Sequence, residues 1–145
     1  MEDQVKTQAY FDVLEGETKN YHFYVQLHFN NGYLEEFVLT YMDRGVMSFE
    51  IAKSSKNTIH VDYGLSYRKN SLRFEIIPPN DVDVLEEFNK TAISQYHDKI
   101  INRKLSKYDL KMITIKLIDY IDSELEHRIH GILIRLRRAV ALSRD

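Results

Sequence analysis

The chain predicts an α+β fold in one domain: an antiparallel meander of about six strands over residues 1–79, a helix over 80–104, and a long last helix over 107–142. Three observations predict it. Side chains alternate apolar and polar from Tyr21 to Phe29, turn-forming clusters recur at short intervals up to Pro78-Pro79, and beyond that point apolar residues recur every three or four positions.

The strand signal is clearest where Tyr21, Phe23, Val25, Leu27 and Phe29 share one face and His22, Tyr24, Gln26 and His28 the other. Asn30-Asn31-Gly32 turns the chain into a second strand. A two-residue loop alone would set Phe23 against Thr40 and Leu27 against Glu36, mixing the faces. A three-residue loop pairs Val25 with Phe37, Phe23 with Leu39 and Tyr21 with Tyr41, and is the register expected. Strands over Val46–Lys53, Thr58–Leu65 and Ser71–Ile77 follow the turns Asp43-Arg44-Gly45, Ser54-Ser55-Lys56-Asn57 and Arg68-Lys69-Asn70. Tyr10–Leu14 makes a first strand, closed by Glu15-Gly16-Glu17.

Asn80 is placed to cap the first helix, with Asp81 and Asp83 at its positive end. Its apolar face reads Leu85, Phe88, Ala92, Tyr96 and Ile100. The second start carries Ser106 and Asp109 in capping-box positions, with Leu105 and Leu110 as the hydrophobic staple. From there Leu110, Ile113, Leu117, Ile121, Leu125, Ile129, Ile132, Leu136 and Val140 form one stripe, so a single continuous helix is expected. Its steps average about 3.75 residues, longer than the 3.5 of a left-handed coiled coil. Such a helix would run about 54 Å, whereas a compact globule of this size is about 38 Å across. Self-association through the overhanging end is therefore expected, with Gly131 as the position where a kink would instead fold the helix back.

Charge divides the chain. Residues 1–89 carry eight basic groups and fifteen acids, a balance of −7, and residues 90–145 carry twelve and seven, a balance of +5. The absence of cysteine excludes a disulfide framework and thiolate chemistry and suits a reducing compartment. Residues 1–6 are polar, and no apolar run is long enough to span a bilayer. The expectation is a cytoplasmic protein without membrane association. Plentiful Ile, Lys and Asn suit an A+T-rich coding genome, such as those of many low-GC bacteria and their phages, and a phage or mobile-element origin would fit the size and composition.

Catalytic signals are weak. Glu124 and His127 have Glu-x-x-His spacing, with His130 one turn on, but the second copy and extra glutamates of a di-iron bundle are missing, so no metal or other cofactor is expected. Glu50 and Lys53 fall on opposite faces of a strand, unlike the acid and lysine of a nuclease site. A hydrolase would need a pocket gathering Glu50, Asp62 or His60. Phosphate loops, nucleophile elbows and zinc-protease motifs are absent, and no enzyme is expected.

Surface binding is the remaining class. Ile129, Ile132, Leu133, Leu136 and Val140 are the expected interface of a homodimer or of contact with another protein. Arg128, Arg135, Arg137 and Arg138 form the expected basic surface beside it, with Arg144 beyond. A protein-binding inhibitor or accessory factor is the first reading. A nucleic-acid-binding protein using the arginine-rich end is the second, although the strand aromatics Tyr24, Tyr33 and Tyr63 lie in the acidic half, away from the arginines.

Overall fold

The computed structural model describes residues 9–54, 56–65, 71–78 and 82–144. Six strands, β1 (Ala9–Glu17), β2 (Tyr21–Asn30), β3 (Tyr33–Asp43), β4 (Met47–Lys53), β5 (Ile59–Leu65) and β6 (Ser71–Ile76), form one sheet in the order β1-β2-β3-β4-β5-β6. Every neighbouring pair is antiparallel. The helices follow: α1 (Glu86–Thr91), a 3-10 turn (Ile93–Tyr96), α2 (His97–Ile101), α3 (Lys107–Glu124) and α4 (His130–Leu142). The α+β meander is the one the alternation and the turn spacing predict. Residues 1–6, the Arg68-Lys69-Asn70 turn and the Asn80-Asp81 cap lie outside the described residues.

The β2–β3 register differs from the expected one. Asn31 and Gly32 have φ of 55° and 88°, the two left-handed residues of a two-residue hairpin turn, and Asn30 stands opposite Tyr33. The register then shifts between His28 and Phe29, so that Leu27 faces Phe37, Val25 faces Leu39 and Phe23 faces Tyr41. Glu35 is the extra residue of this bulge. The outcome is two residues away from the expected pairing. A shift of two returns every side chain to its own face, so alternation fixes which face is apolar and leaves the partner open.

The face carrying Phe23, Val25, Leu27, Leu39 and Ile51 is the core, with none of these more than 1% exposed. Burying each such side chain stabilises the fold by roughly 1.5–3 kcal/mol. The helices all lie on this side. The expected 80–104 helix is present as three short pieces, and the reason is local. Thr91 Oγ1, Ser94 Oγ and Gln95 Nε2 donate to the carbonyls of Glu87, Lys90 and Thr91, competing with the helix's own amides. The resulting rotation buries Ile93 fully, beside Leu85, Phe88 and Ile100. Asn89 fastens this layer to the sheet, accepting from Leu34 N at 2.8 Å and donating to Leu34 O at 3.0 Å.

The start of α3 is the one expected. Ser106 Oγ accepts from Asp109 N and Asp109 Oδ2 accepts from Ser106 N, both at 3.0 Å. Burial pushes the Asp109 carboxyl up, but the Ser106 hydrogen bonds and the Lys99 ammonium at 3.2 Å outweigh it and hold the group below its ordinary value.

The single helix over 107–142 is corrected: α3 ends at Glu124 and α4 begins at His130. His127 N donates to Asp122 O and Glu126 N to Ser123 O, each at 2.9 Å, the nested pair of a Schellman motif. Glu126 and His127 take positive φ, 54° and 62°. Gly131 is not the hinge. It lies in the first turn of α4, where a Cβ would meet nothing within 4 Å. Folding back places α4 along α3, and the overhang that argued for a second chain is gone.

Candidate interaction surface

The expected interface residues belong to the chain's own core. Leu136 and Val140 are 0% exposed, Leu133 1% and Ile129 8%, while Ile132 is half-buried against the same cluster. They are unavailable as a dimer surface in this fold. This corrects the assignment, and its cause is the helix break: the side chains that a straight rod would carry past the body are turned onto it.

The arginines are largely engaged within the chain. Arg135 Nη1 donates to Asp43 Oδ2 at 2.6 Å. Arg137 makes a two-pronged contact with Asp119, at 2.9 and 3.2 Å. The Arg128 guanidinium lies 5.3 Å from the Phe74 ring centre, and its Nε donates to Leu125 O. Arg138 is exposed on the rim of a small cleft shared with Tyr21, Tyr41 and Leu142. Other cations of this half are likewise occupied, Lys111 on Ser143 O, Lys99 on Asp109 and Arg103 over the Tyr10 ring. Much of the positive charge of the helical half is thus met within the chain, by acids, carbonyls and rings of both halves.

What the fold leaves uncovered is the other face of the sheet. From β1 to β6 it presents Phe11, Val13 and Glu15, then His22, Tyr24 and His28, then Glu36, Val38, Thr40 and Met42, then Glu50, then His60 and Asp62, and finally Arg73 and Glu75. Phe11 is 57% exposed and Met42 48%. Val13, Tyr24, Val38 and Thr40 lie half-buried between them. The carboxylates sit among and around this apolar strip. Histidines attend several of them, His22 on Glu15 at 2.8 Å, His60 on Glu75 at 3.3 Å, and His28 between Glu35 and Glu36 at 3.7 Å from each. Sequence reasoning found the alternation but did not treat the polar face as a site. The signal was present in the −7 balance of the first 89 residues.

The residues named for a hydrolase do gather on this face. Glu50 stands opposite Asp62, and Asp62 pairs with Arg73 at 3.4 Å. His60 and Asp62, each about half exposed, line an open cleft of about 500 Å³ with Arg73 and Glu75, and Glu50 is outside its lining. Lys53 points the other way, buried on the helix side, with Nζ donating to Glu35 O at 2.6 Å. It lines a cleft of about 490 Å³ with Tyr33, Asp83, Glu86 and Asn89. Glu50 and Lys53 are on opposite faces, as their spacing requires.

Compared with protein-family models, with curated proteins and with solved structures, the chain has no significant match. Among the described residues, no helix is long and apolar enough to cross a membrane.

Proposed function

We propose that this chain is a protein-binding module that occupies a surface of another protein through the uncovered face of its sheet. One observation carries the reading: an apolar strip running from Phe11 to Met42 reaches the surface, with carboxylates among and around it, on a sheet whose opposite face carries the core. Exposed apolar surface with a polar rim is the usual anatomy of an interface. The acids define the partner as basic, because face-to-face self-pairing would bring like charges together. A homodimer through the terminal helix loses its support, since those side chains are core. An inhibitor or accessory factor, phage- or mobile-element-encoded, that covers a basic surface of its target suits this charge pattern. The second reading, nucleic acid held by the arginine end, is not favoured, because Arg128, Arg135 and Arg137 are engaged within the chain.

The test compares the wild type with Thr40→Lys on the open face and Arg138→Glu on the helical side. Each is used as bait in the source cells, and each is mixed with a labelled DNA duplex at two salt concentrations. A basic partner retained by wild type and Arg138→Glu but lost by Thr40→Lys is the expected result. Retention by all three removes the sheet face from the interface. Duplex binding that falls steeply with salt and is weakened by Arg138→Glu would reinstate the second reading.

A further inference from the structure

Where α3 turns back into α4, three side chains with metal-ligating atoms converge. Asp122 lies in the last turn of α3, His127 in the link, and His130 at the first position of α4. Asp122 Oδ2 is 2.6 Å from His130 Nδ1 and 3.2 Å from His127 Nδ1. The two rings meet edge to face, with centroids 5.7 Å apart. Asp122 is only 8% exposed, and its other oxygen, Oδ1, is buried with no hydrogen-bond partner.

Local geometry builds this cluster. The left-handed residues at Glu126 and His127 reverse the chain tightly enough to set His127 over the helix turn it has just left. The His130 imidazole alone hydrogen-bonds Oδ2, and Oδ1 is left bare, so the buried carboxylate is under-compensated. We propose that Asp122, His127 and His130 form a site for a divalent first-row transition ion, zinc above all, held by two imidazole nitrogens and one carboxylate.

Donor chemistry sets the ion class. Imidazole nitrogen suits zinc and its neighbours, whereas calcium and magnesium seek oxygen. Zinc bonds of about 2.0–2.2 Å place adjacent donors of a tetrahedron about 3.3 Å apart. The His127–Asp122 separation of 3.2 Å already fits this, and the three donor atoms lie within 4.8 Å of one another. The His130 contact must open, and its side chain, 55% exposed, is free to move. The His127 side chain is 68% exposed, so the remaining coordination position faces solvent. Nearby cations are turned away, Arg128 to Phe74 and Arg135 to Asp43. The bound ion would pin the end of α3 to the start of α4.

The full chain, stripped with EDTA, is titrated with zinc alone by calorimetry and with Co²⁺ followed by its visible absorption. The expected result is one ion per chain, with a melting temperature that rises as zinc is added. His127→Ala and His130→Ala, both at exposed positions, should keep the wild-type circular dichroism and each weaken zinc binding by more than about tenfold. Asp122→Asn should do the same. If that variant does not fold, the two histidine variants decide. His28→Ala should leave binding unchanged, since His28 with Glu35 and Glu36 is the other cluster of ligand atoms among the described residues. Absence of saturable binding, equal binding by the His127 and His130 variants, or loss confined to His28→Ala would each overturn the proposal.

Discussion

Arg135 and Asp43 join the last helix to the end of β3: Nη1 donates to Oδ2 at 2.6 Å across 92 residues of chain. Side-chain exposures of 48% and 17% place this pair at the edge of the core, screened on one side by water. Such a pair contributes modestly. A double-mutant cycle of Arg135→Ala and Asp43→Ala in urea is expected to give a coupling of about 0.5–1 kcal/mol, shrinking as salt is added. Simple additivity would free Arg135 to serve an external partner.

Leu136 is wholly buried within one chain. Leu136→Ala is expected to destabilise the fold by about 2–5 kcal/mol, through lost transfer energy and the cavity left behind. Its sedimentation coefficient should equal that of wild type under native conditions. A variant of unchanged stability but altered sedimentation would return Leu136 to an interface between chains.

Tyrosines report on the helical layer. Tyr120 Oη donates to Val84 O at 2.8 Å and Tyr10 Oη to Ile100 O at 3.0 Å. Burial, aided by the charge of Glu124 for the first and of Asp12 for the second, pushes each phenol up to about 12. Unfolded tyrosines ionise near 10. Above that pH the unfolded chain sheds protons that the native chain keeps, so stability is full below pH 10 and falls between about 10 and about 12. Ultraviolet titration should show these two phenols ionising late. Tyr120→Phe should cost about 1 kcal/mol at neutral pH and remove part of the alkaline loss. Titration of all phenols near 10 would contradict their burial.

Alternation, turn residues and capping chemistry are local signals, and they made the sheet, its faces and the Ser106 cap legible. Partner identity is not local. The stripe from Leu110 to Val140 is apolar whether a second chain or a folded-back helix covers it, and so core residues read as an interface. Register escaped for a related reason: the bulge at Glu35 changes the pairing by two and leaves the pattern untouched. The His127–His130 cluster was half visible. Spacing pointed to Glu124, but the reversal of the chain brings in Asp122 instead.

The helix break was illegible because its two left-handed residues are Glu126 and His127, and Glu126 stands where most Schellman motifs carry glycine. That leaves a substitution whose sign decides the geometry. In a continuous helix, Glu126→Gly would cost about 1 kcal/mol, through the backbone freedom glycine loses on folding. At φ of 54° glutamate is the strained residue and glycine is not. Glu126 accepts no side-chain hydrogen bond among those of the link, and its side chain is exposed, so little else is removed. Glu126→Gly is therefore expected to stabilise the protein by about 0.5–1 kcal/mol in chemical denaturation, with Glu126→Ala near neutral as the control for loss of charge. Destabilisation by glycine would mean that α3 and α4 run on as one helix, and the intramolecular burial of Leu133, Leu136 and Val140 would fall with it.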